Sequence, residues 1–257
     1  MKKFFAIFSL VALSLTACDK GVDTNEAKGK GSVAFKVGET TEVVDTRANV
    51  SCTTPAAEDF SLRIEGVDSS YAADYDNIAI FNENNYLVEG QYKATVSAGS
   101  LAEEGYDKAM FVGSKEFAVA ARQHTDVEIT ATIANALVKV EVTENFTNYF
   151  VGGHSLKLTT AAGNEFDVTE QTVPIFFAPG AFTVSGSAIK QPNQSGKGGV
   201  EVTLPEYKNE SAVAQTLYIV KLDVENVGGA TLTITLNETL VESIDIEQEL
   251  NDNAEEA

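Results

Sequence analysis

The residue of this chain with the most specific chemical setting is Cys18. Two lysines, Lys2 and Lys3, precede an apolar stretch over residues 4–15, and this stretch ends in Leu15-Thr16-Ala17-Cys18. It has secretory length and is too short to span a bilayer. The pattern is typical of a bacterial lipoprotein signal peptide, so we predict that residues 1–17 are removed and that the Cys18 thiol is lipidated. The alternative is an ordinary signal peptide with a cysteine nearby by chance.

The chain has three other cysteine and histidine residues, the types that most often serve as nucleophiles, bases or soft metal ligands: Cys52, His124 and His154. One unlipidated cysteine and two separated histidines match no zinc-binding spacing. The stretch Gly153-His154-Ser155-Leu156-Lys157 has Lys157 where a nucleophile elbow needs glycine. We therefore expect no enzyme activity, no cofactor and no metal, and surface positions for both histidines. Cys52 is expected to be a small residue near a strand start, with a bond to a partner chain as the alternative.

An acidic loop with two tyrosines is the remaining candidate for ligand binding. It contains Asp68, Tyr71, Asp74, Tyr75 and Asp76. The flat, amphipathic tyrosine rings suit contacts with sugars or proteins. The three aspartates are close enough to share a hard cation such as calcium, but they lack the ligand spacing of a dedicated calcium loop. A solvated acidic loop is the simpler interpretation, and the absence of tryptophan weakens a glycan-binding interpretation.

The charge of the chain excludes some partners. It has 18 basic and 38 acidic residues, and removal of residues 1–17 takes away two lysines, which leaves a net charge of −22. Such a surface repels nucleic acid and anionic lipid headgroups. No later apolar stretch reaches transmembrane length. We therefore predict attachment to the outer membrane through the N-terminal lipid alone, with the folded part displayed at the cell surface.

Short stretches of alternating apolar residues, separated by turns rich in Gly, Asn and Asp, dominate the rest of the chain. This pattern is typical of all-β sandwiches. We predict a flexible tether over residues 18–31, two tandem antiparallel β-sandwich domains over residues 32–147 and 148–250, and an acidic tail over residues 251–257. A single larger sandwich is the alternative.

Local patterns refine this prediction at several places. Ile78 and Ile80 are expected in a strand, and residues 99–108 in a loop with one short helical turn. Pro174 favours an edge position for its strand, because it cannot donate to a ladder. The nearly continuous apolar run over residues 217–224 favours a central strand that is covered on both faces.

The alternation of apolar residues reverses once between two adjacent strands. Val127, Ile129 and Ile133 share one parity, whereas Ala136 and Val138 take the opposite one. A strand cannot keep one core-facing side through such a change. We therefore predict a β-bulge or a bend near Ala134-Asn135.

Four short stretches carry a family resemblance: Gly31-Ser32-Val33-Ala34-Phe35-Lys36-Val37, Asp45-Thr46-Arg47-Ala48, Glu89-Gly90-Gln91-Tyr92, and Ile133-Ala134-Asn135-Ala136-Leu137-Val138-Lys139-Val140. They resemble a family of Bacteroidales surface lipoproteins with a domain of unknown function, related to the fimbrillins of type V pili. The resemblance implies tandem transthyretin-like sandwiches, outer-membrane anchoring and outward display. The family often has a cysteine or another small residue just before the Leu-Ala-Asn stretch. Here that region reads Ala131-Thr132-Ile133, which is a departure.

Lipidation, the all-β pattern and the resemblance together predict a role. We expect a lipid-anchored, non-catalytic cell-surface protein that acts in adhesion or in fimbria-like self-assembly. The alternative is a surface module that binds a glycan or a protein beside a nutrient-uptake system, for which the tyrosine-bearing acidic loop is the supporting feature. No nucleic-acid partner is expected.

The resemblance also implies a proteolytic site. Arg47 and Ala48 lie in a polar, Thr-rich loop, and exposed loops of this kind are preferred cleavage sites. In fimbrillins, cleavage after an arginine in a comparable loop releases the first strand, and a strand from the next subunit fills the groove. Here residues 32–37 would be lost and residues 240–250 would be the donor. The alternative is an uncut, monomeric lipoprotein.

Overall fold

A computed structural model describes residues 29–41, 50–190 and 199–224, together with the backbone of two strands at residues 230–236 and 249–250. Cys18, Arg47 and Ala48 lie outside the described residues, as does most of the predicted donor segment. The predictions made for them therefore stay predictions. Within the described part of the chain, no helix is both long and apolar enough to cross a membrane.

Strands make up most of the described chain, which confirms the all-β prediction. In the first part they are β1 (Lys30–Thr40), β2 (Ser61–Gly66), β3 (Ala72–Tyr75), β4 (Tyr86–Val88), β5 (Gly90–Ala98), β6 (Gly105–Tyr106), β7 (Phe111–Val119), β8 (His124–Ile133) and β9 (Ala136–Val142). In the second part they are β10 (His154–Thr160), β11 (Glu165–Asp167), β12 (Ile175–Phe177), β13 (Gly180–Ile189), β14 (Glu201–Thr203), β15 (Tyr207–Ala212), β16 (Leu217–Val224), β17 (Ala230–Leu236) and β18 (Glu249–Leu250). The helices are short: α1 (Ile78–Asn82), α2 (Glu144–Tyr149) and a 3-10 helix (Ala57–Asp59).

The described strands form three sheets in a sandwich-like arrangement. One has seven strands in the order β3-β2-β5-β7-β8-β1-β4. A second has six, in the order β18-β17-β16-β9-β12-β6. The third contains β11-β10-β13-β14, with β15 also paired to β13. The alternation of apolar and polar residues explains why these segments form strands with one buried face. In β5, for example, Tyr92, Ala94 and Val96 are buried, whereas Lys93 is exposed.

Most strand pairs are antiparallel, as predicted, but two are parallel. β1 runs parallel to β8, from Ser32 opposite His124 to Thr40 opposite Thr132. β9 likewise runs parallel to β16, from Leu137 opposite Leu217 onward. Both pairs join segments that are far apart in the chain, as parallel pairing requires. Alternation within a strand does not reveal its partner, so the sequence patterns could not predict these pairs.

The six-stranded sheet lies between two hydrophobic cores. Leu137 and Phe176 pack into the first core, with the side chains of the seven-stranded sheet. Their neighbours Val138, Ile175 and Phe177 pack into the second core. Because adjacent residues of a strand point to opposite faces, one sheet supplies both cores.

The reversal of alternation at Ala134-Asn135 is a change of sheet. β8 ends at Ile133 in the seven-stranded sheet, and β9 begins at Ala136 in the six-stranded sheet. The predicted bend therefore lies where the chain leaves one sheet for the next. The domain boundary at residues 147 and 148 remains a prediction. β9, which that boundary assigns to the first domain, pairs with β12 and β16 from the second.

Two local predictions were wrong. Ile78 and Ile80 lie in helix α1, which begins after Asn77, whose side chain accepts a hydrogen bond from the Ile80 N–H. Residues 99–108 contain a turn and strand β6 in place of the expected helical turn.

The two predictions about strand position had different outcomes. Pro174 directly precedes β12, which lies between β9 and β6 and so is not an edge strand. β16 is central, as predicted, since it lies between β9 and β17. Its coverage on both faces is limited to its beginning: Leu217 packs against the first core and Tyr218 against the second, whereas Lys221 is exposed.

Candidate functional site

A concave surface with a volume of about 680 Å³ lies beside the first residues of strands β1 and β5 of the seven-stranded sheet. We call it the tyrosine groove and define it by Asp68, Tyr71, Tyr86, Glu89, Gln91 and Tyr92. It is built from three segments: the beginning of β1, the turn between β2 and β3, and the passage from β4 into β5.

Backbone hydrogen bonds hold these three segments together. β4 pairs with the first residues of β1, from Lys30 opposite Val88 to Ser32 opposite Tyr86. The N–H of Glu89 then donates to the carbonyl of Gly29 over 2.8 Å, so the chain turns into β5 beside the beginning of β1. The N–H of Val67 donates to the carbonyl of Gln91 over 2.9 Å. The β2–β3 turn is thereby fixed against β5, and the groove is a preformed feature of the fold.

The three tyrosines have different roles. Tyr92 is buried, stacks on Phe117 at a ring-centre distance of 5.7 Å and donates its hydroxyl to the carbonyl of Val88 over 2.7 Å, so it forms the floor. Tyr71 meets the Tyr92 ring edge-on at 5.6 Å and is 36% exposed. Tyr86 is 58% exposed. Tyr71 and Tyr86 therefore present ring surface to a ligand.

The phenol groups of Tyr71 and Tyr92 have raised pKa values and remain protonated over the physiological range. Desolvation raises the pKa of Tyr92, and it raises the pKa of Tyr71 well above the usual value, with a further contribution from the 3.5 Å contact between the hydroxyls of Tyr71 and Tyr75. A neutral phenol can both donate and accept a hydrogen bond. These tyrosines therefore offer polar contacts as well as ring surface.

The groove carries a small negative charge. Asp68 is exposed and Glu89 is half-buried, and within the described residues neither forms an ion pair. Lys30 is the single basic residue among those that line the groove. Gln91 adds an amide, which has both donors and an acceptor.

The structure divides the predicted acidic loop between two places. Asp68 and Tyr71 line the tyrosine groove, whereas Asp74, Tyr75 and Asp76 line a separate, smaller depression beside Arg63. The Arg63 guanidinium donates to both carboxylate oxygens of Asp74 at 2.9 Å. Among the described residues, no group of three or more His, Cys, Asp and Glu side chains is arranged to hold a metal ion. The assignment of this loop as a ligand site stays a prediction.

Four residues that define the groove were not predicted as site residues: Tyr86, Glu89, Gln91 and Tyr92. A signal for Glu89, Gln91 and Tyr92 was present in the Glu89-Gly90-Gln91-Tyr92 stretch, where polar residues flank the beginning of a strand. No such signal marked Tyr86. The proximity of these four residues to Asp68 depends on the pairing of β4 with β1 and of β2 with β5. Neither pairing is visible in local sequence.

The two histidines contact neighbours on the protein surface. The Nδ1 of His124 lies 2.8 Å from the hydroxyl of Ser32, and its Nε2 lies 3.7 Å from Asp126. This row of Ser, His and Asp lies on paired strands, and the His124 side chain is 53% exposed. His154 packs edge-on against Phe146 and lies 3.3 Å from the carbonyl of Thr169. His124 is therefore an exposed surface contact, and solvent screens its interaction with Asp126. His154 is half-buried and packs at the edge of the second core.

Cys52 is half-buried against the first core. Burial, followed by the nearby Asp107 carboxylate, raises the pKa of its thiol. A thiol with a raised pKa is a weak nucleophile at neutral pH. Cys52 lies in an irregular segment before the 3-10 helix and β2, so the expected position near a strand start was wrong, while its setting is that of a small packed residue.

Comparison with protein families identifies the family of this chain. Residues 29–252 match the family described as Domain of unknown function (DUF4493). The chain belongs to this family. The match confirms the resemblance to a family of unknown function that the short motifs indicated. A comparison with curated proteins finds no match.

Solved structures from Bacteroides and Parabacteroides species are similar at low identity. A fimbrial assembly protein from Parabacteroides distasonis is 13% identical, with 81% of this chain and 96% of that chain covered and a TM-score of 0.43. A protein from Bacteroides eggerthii assigned to cell adhesion is 10% identical, with coverages of 88% and 93% and a TM-score of 0.41. A protein from Bacteroides thetaiotaomicron assigned to polysaccharide binding is 12% identical, with coverages of 86% and 100% and a TM-score of 0.38. These similarities are distant and assign no function to this member of the family.

Proposed function

We propose that this protein is a non-catalytic, lipid-anchored adhesion protein of the cell surface, which holds its ligand in the tyrosine groove. The observation that carries the proposal is the groove itself. It combines exposed tyrosine rings with a few convergent polar groups on a rigid sheet, which is the usual composition of a binding site. Its open shape and preformed walls suit holding a ligand at a surface.

The anchor is tested by the variant Cys18→Ala. The strongly acidic chain is repelled by anionic lipid, so the proposed lipid would hold the protein without electrostatic help. We expect the variant to lose lipid labelling and to leave the washed membrane fraction. Cys52→Ala is the matched control and should remain in that fraction. Retention of Cys18→Ala in washed membranes would contradict the anchoring proposal.

The adhesion role is tested by the variant Tyr86→Ala. Tyr86 is largely exposed, so its loss removes ring surface from the groove without opening a core. Bacteria that display the variant should adhere less well than bacteria that display the unchanged protein at the same surface density. Tyr106→Ala, which removes an exposed tyrosine outside the groove, is the control. Equal adhesion by all three strains would contradict the proposal.

Fimbria-like assembly is a second candidate, favoured by the position of β1. This strand lies between β8 and β4, and its residues Val33 and Phe35 are buried in the first core. If the chain were cut after Arg47, loss of β1 would expose the β8 edge and an apolar groove, which a strand from another subunit could fill. The proposed donor, residues 240–250, is described only at Glu249–Leu250, where its backbone pairs with β17.

Assembly is tested with purified protein and an arginine-specific protease. The expected result is cleavage after Arg47 followed by polymers in size-exclusion chromatography. Polymers should be absent from an Arg47→Lys variant and from a chain that lacks residues 240–257. A cut chain that remains monomeric and retains β1 would refute assembly and leave the adhesion proposal intact.

A further inference from the structure

We infer that the tyrosine groove binds a saccharide that has no acidic groups, either a neutral sugar or an amino sugar. This inference rests on the proposed adhesion function and names the ligand class of the same site. Three properties of the groove carry it: exposed aromatic rings, mixed donors and acceptors, and a local negative charge.

The aromatic rings match the shape of a sugar. One face of a pyranose ring presents C–H groups around a flat outline, and its edge presents hydroxyls. Tyr86 and Tyr71 present flat, apolar surface with a polar hydroxyl at the tip. Tyr92 supports Tyr71 from below through their edge-on contact at 5.6 Å. The Tyr71 ring is therefore held in place before a ligand arrives, which lowers the entropic cost of binding.

The polar groups of the groove suit a ligand with several hydroxyls better than a ligand with one charged group. A sugar hydroxyl donates one hydrogen bond and accepts others. Asp68 and Glu89 supply acceptors only, Lys30 supplies donors, and Gln91 with Ser69 supplies both. Hydrogen bonds to charged groups are the stronger ones, so we expect the carboxylates to dominate orientation of the ligand.

The charge excludes acidic saccharides. Two carboxylates and one lysine line the groove, and the whole chain has a net charge of −20. A uronate or a sulfate in the groove would lie near like charges, which disfavours it most strongly at low ionic strength. An amino sugar instead gains attraction from Asp68 and Glu89.

A peptide that extends the sheet is the main competing occupant. β4 forms the edge of the seven-stranded sheet beside the groove, and an exposed edge can accept an added strand. The edge offers only three residues, Tyr86–Val88, and short edges are poor templates for strand addition. The saccharide is therefore the better supported ligand.

A glycan array followed by titration calorimetry tests the inference with the purified soluble chain, residues 19–257. Mannan, a chitosan oligosaccharide and polygalacturonate serve as neutral, basic and acidic probes, and tetralysine serves as a charged peptide. We expect signals from neutral or amino glycans and none from polygalacturonate. Tyr86→Ala and Asp68→Asn should each weaken saccharide binding by about tenfold or more, equivalent to about 1.4 kcal/mol. Glu128→Gln, an exposed acid outside the groove, should leave it unchanged.

Several outcomes would overturn the inference. They are the absence of any neutral or amino glycan signal, binding of polygalacturonate as tight as that of mannan, or binding of tetralysine as tight as that of the saccharide. Unchanged affinity in both groove variants, with their fold verified by circular dichroism, would also overturn it. If Tyr86→Ala abolishes cell adhesion while no glycan binds, the adhesion proposal stands and the saccharide inference fails. If glycans bind and adhesion is unaffected by the variant, the adhesion proposal fails instead.

Discussion

A buried asparagine marks the point where the chain passes between sheets. The Oδ1 of Asn135 accepts the N–H of Met110 over 2.6 Å, and its carbonyl accepts the N–H of Gln215 over 2.7 Å. These two bonds connect the end of β8 to the segments that precede β7 and β16. Its Nδ2 atom has no hydrogen-bond partner within the described residues. The alternation of side chains predicted a bend at this residue, but the reason for an asparagine there depends on contacts distant in sequence.

A second residue whose properties depend on a distant partner is Asp107. It accepts hydrogen bonds from the hydroxyl of Thr53 over 2.6 Å and from the N–H of Thr53 over 2.5 Å. The hydroxyl bond and then the backbone bond lower the pKa of Asp107 below its ordinary value of 3.8. These bonds connect the segment before the 3-10 helix (Ala57–Asp59) to the turn that follows β6. Neither the pairing nor the shifted pKa could be predicted from the spacing of the two residues.

The variant Thr53→Val should raise the pKa of Asp107 toward its ordinary value, because it removes the larger cause of the shift. Asp107 has a lowered pKa in the folded state, so its stabilising contribution is present above the unfolded pKa and is lost as the pH falls through the folded pKa. The variant should therefore be less stable at neutral pH, and the difference should narrow in acid. Carboxyl chemical shifts in an NMR titration and thermal melts at several pH values measure both effects. Thr54→Val is the control, and a pKa of Asp107 that is equal in all three proteins would contradict this account.

At the scale of elements, the sequence predicted strands well and short helices poorly. Tyr92, Ala94 and Val96 alternate over a length typical of a strand, and the structure confirms that face as buried. Ile78 and Ile80 show the same spacing, but they lie in a five-residue helix in which Ile78 and Phe81 are the buried residues. A helical spacing of three is present there as well, and a stretch this short does not distinguish the two periods. The cap at Asn77 was the local signal that favoured the helix.

The variant Asn77→Ala should destabilise the protein by about 1 kcal/mol, which is typical for loss of a helix cap. Its side chain accepts the N–H of Ile80 over 3.0 Å, and helix α1 holds Phe81 in the first core beside Phe35. Urea unfolding followed by circular dichroism measures the change in the free energy of unfolding. Asn82→Ala lies on the exposed side of the same helix and should be neutral or slightly stabilising, since alanine favours helices. Equal stability of Asn77→Ala and the unchanged protein would show that the cap contributes nothing.

Strand partners were the part of the fold that local patterns could not supply. The alternation of Val33 and Phe35 predicts that β1 has one buried face, and this is confirmed. It does not predict that β1 inserts between β8 and β4, because the hydrogen-bonding edges of a strand carry no side-chain signal. The tyrosine groove depends on this insertion. For the same reason only Asp68 and Tyr71 of the groove were among the predicted ligand residues.

At the scale of the whole molecule, the Glu104 carboxylate is one of the groups that connect the two parts of the chain. The Oε2 of Glu104 accepts hydrogen bonds from the hydroxyl of Thr160 over 2.5 Å and from the amide of Asn164 over 2.8 Å. Its Oε1 accepts the N–H of Ala178 over 3.0 Å. Close by, β6 pairs with β12. The segment before β7 therefore docks onto the second part of the chain and adds to the sheet that the two cores share.

The variant Glu104→Gln should destabilise the protein by about 1.5–3 kcal/mol, the usual range for a hydrogen bond to a charged group. Glutamine has the same shape but one acceptor oxygen, so it cannot satisfy all three donors. Unfolding should also become less cooperative, which urea titrations detect as a lower m-value. Glu103→Gln is the neighbouring control. It breaks only an exposed ion pair with Lys108 and should change stability by less than about 1 kcal/mol. Indistinguishable unfolding curves for the two variants would refute a connecting role for Glu104.

The position of the groove at the beginning of β1 limits the distance between the groove and the membrane. Lys30 lines the groove, and ten residues lie between Cys18 and Gly29, which makes eleven residue-to-residue steps. If Cys18 carries the lipid, a fully extended chain of that length spans at most about 40 Å. The binding surface is then confined to a thin layer above the bilayer, at the base of the molecule. At that height the groove meets saccharide chains that extend into this layer, whether they belong to the bacterium's own envelope or project from the surface to which the bacterium adheres.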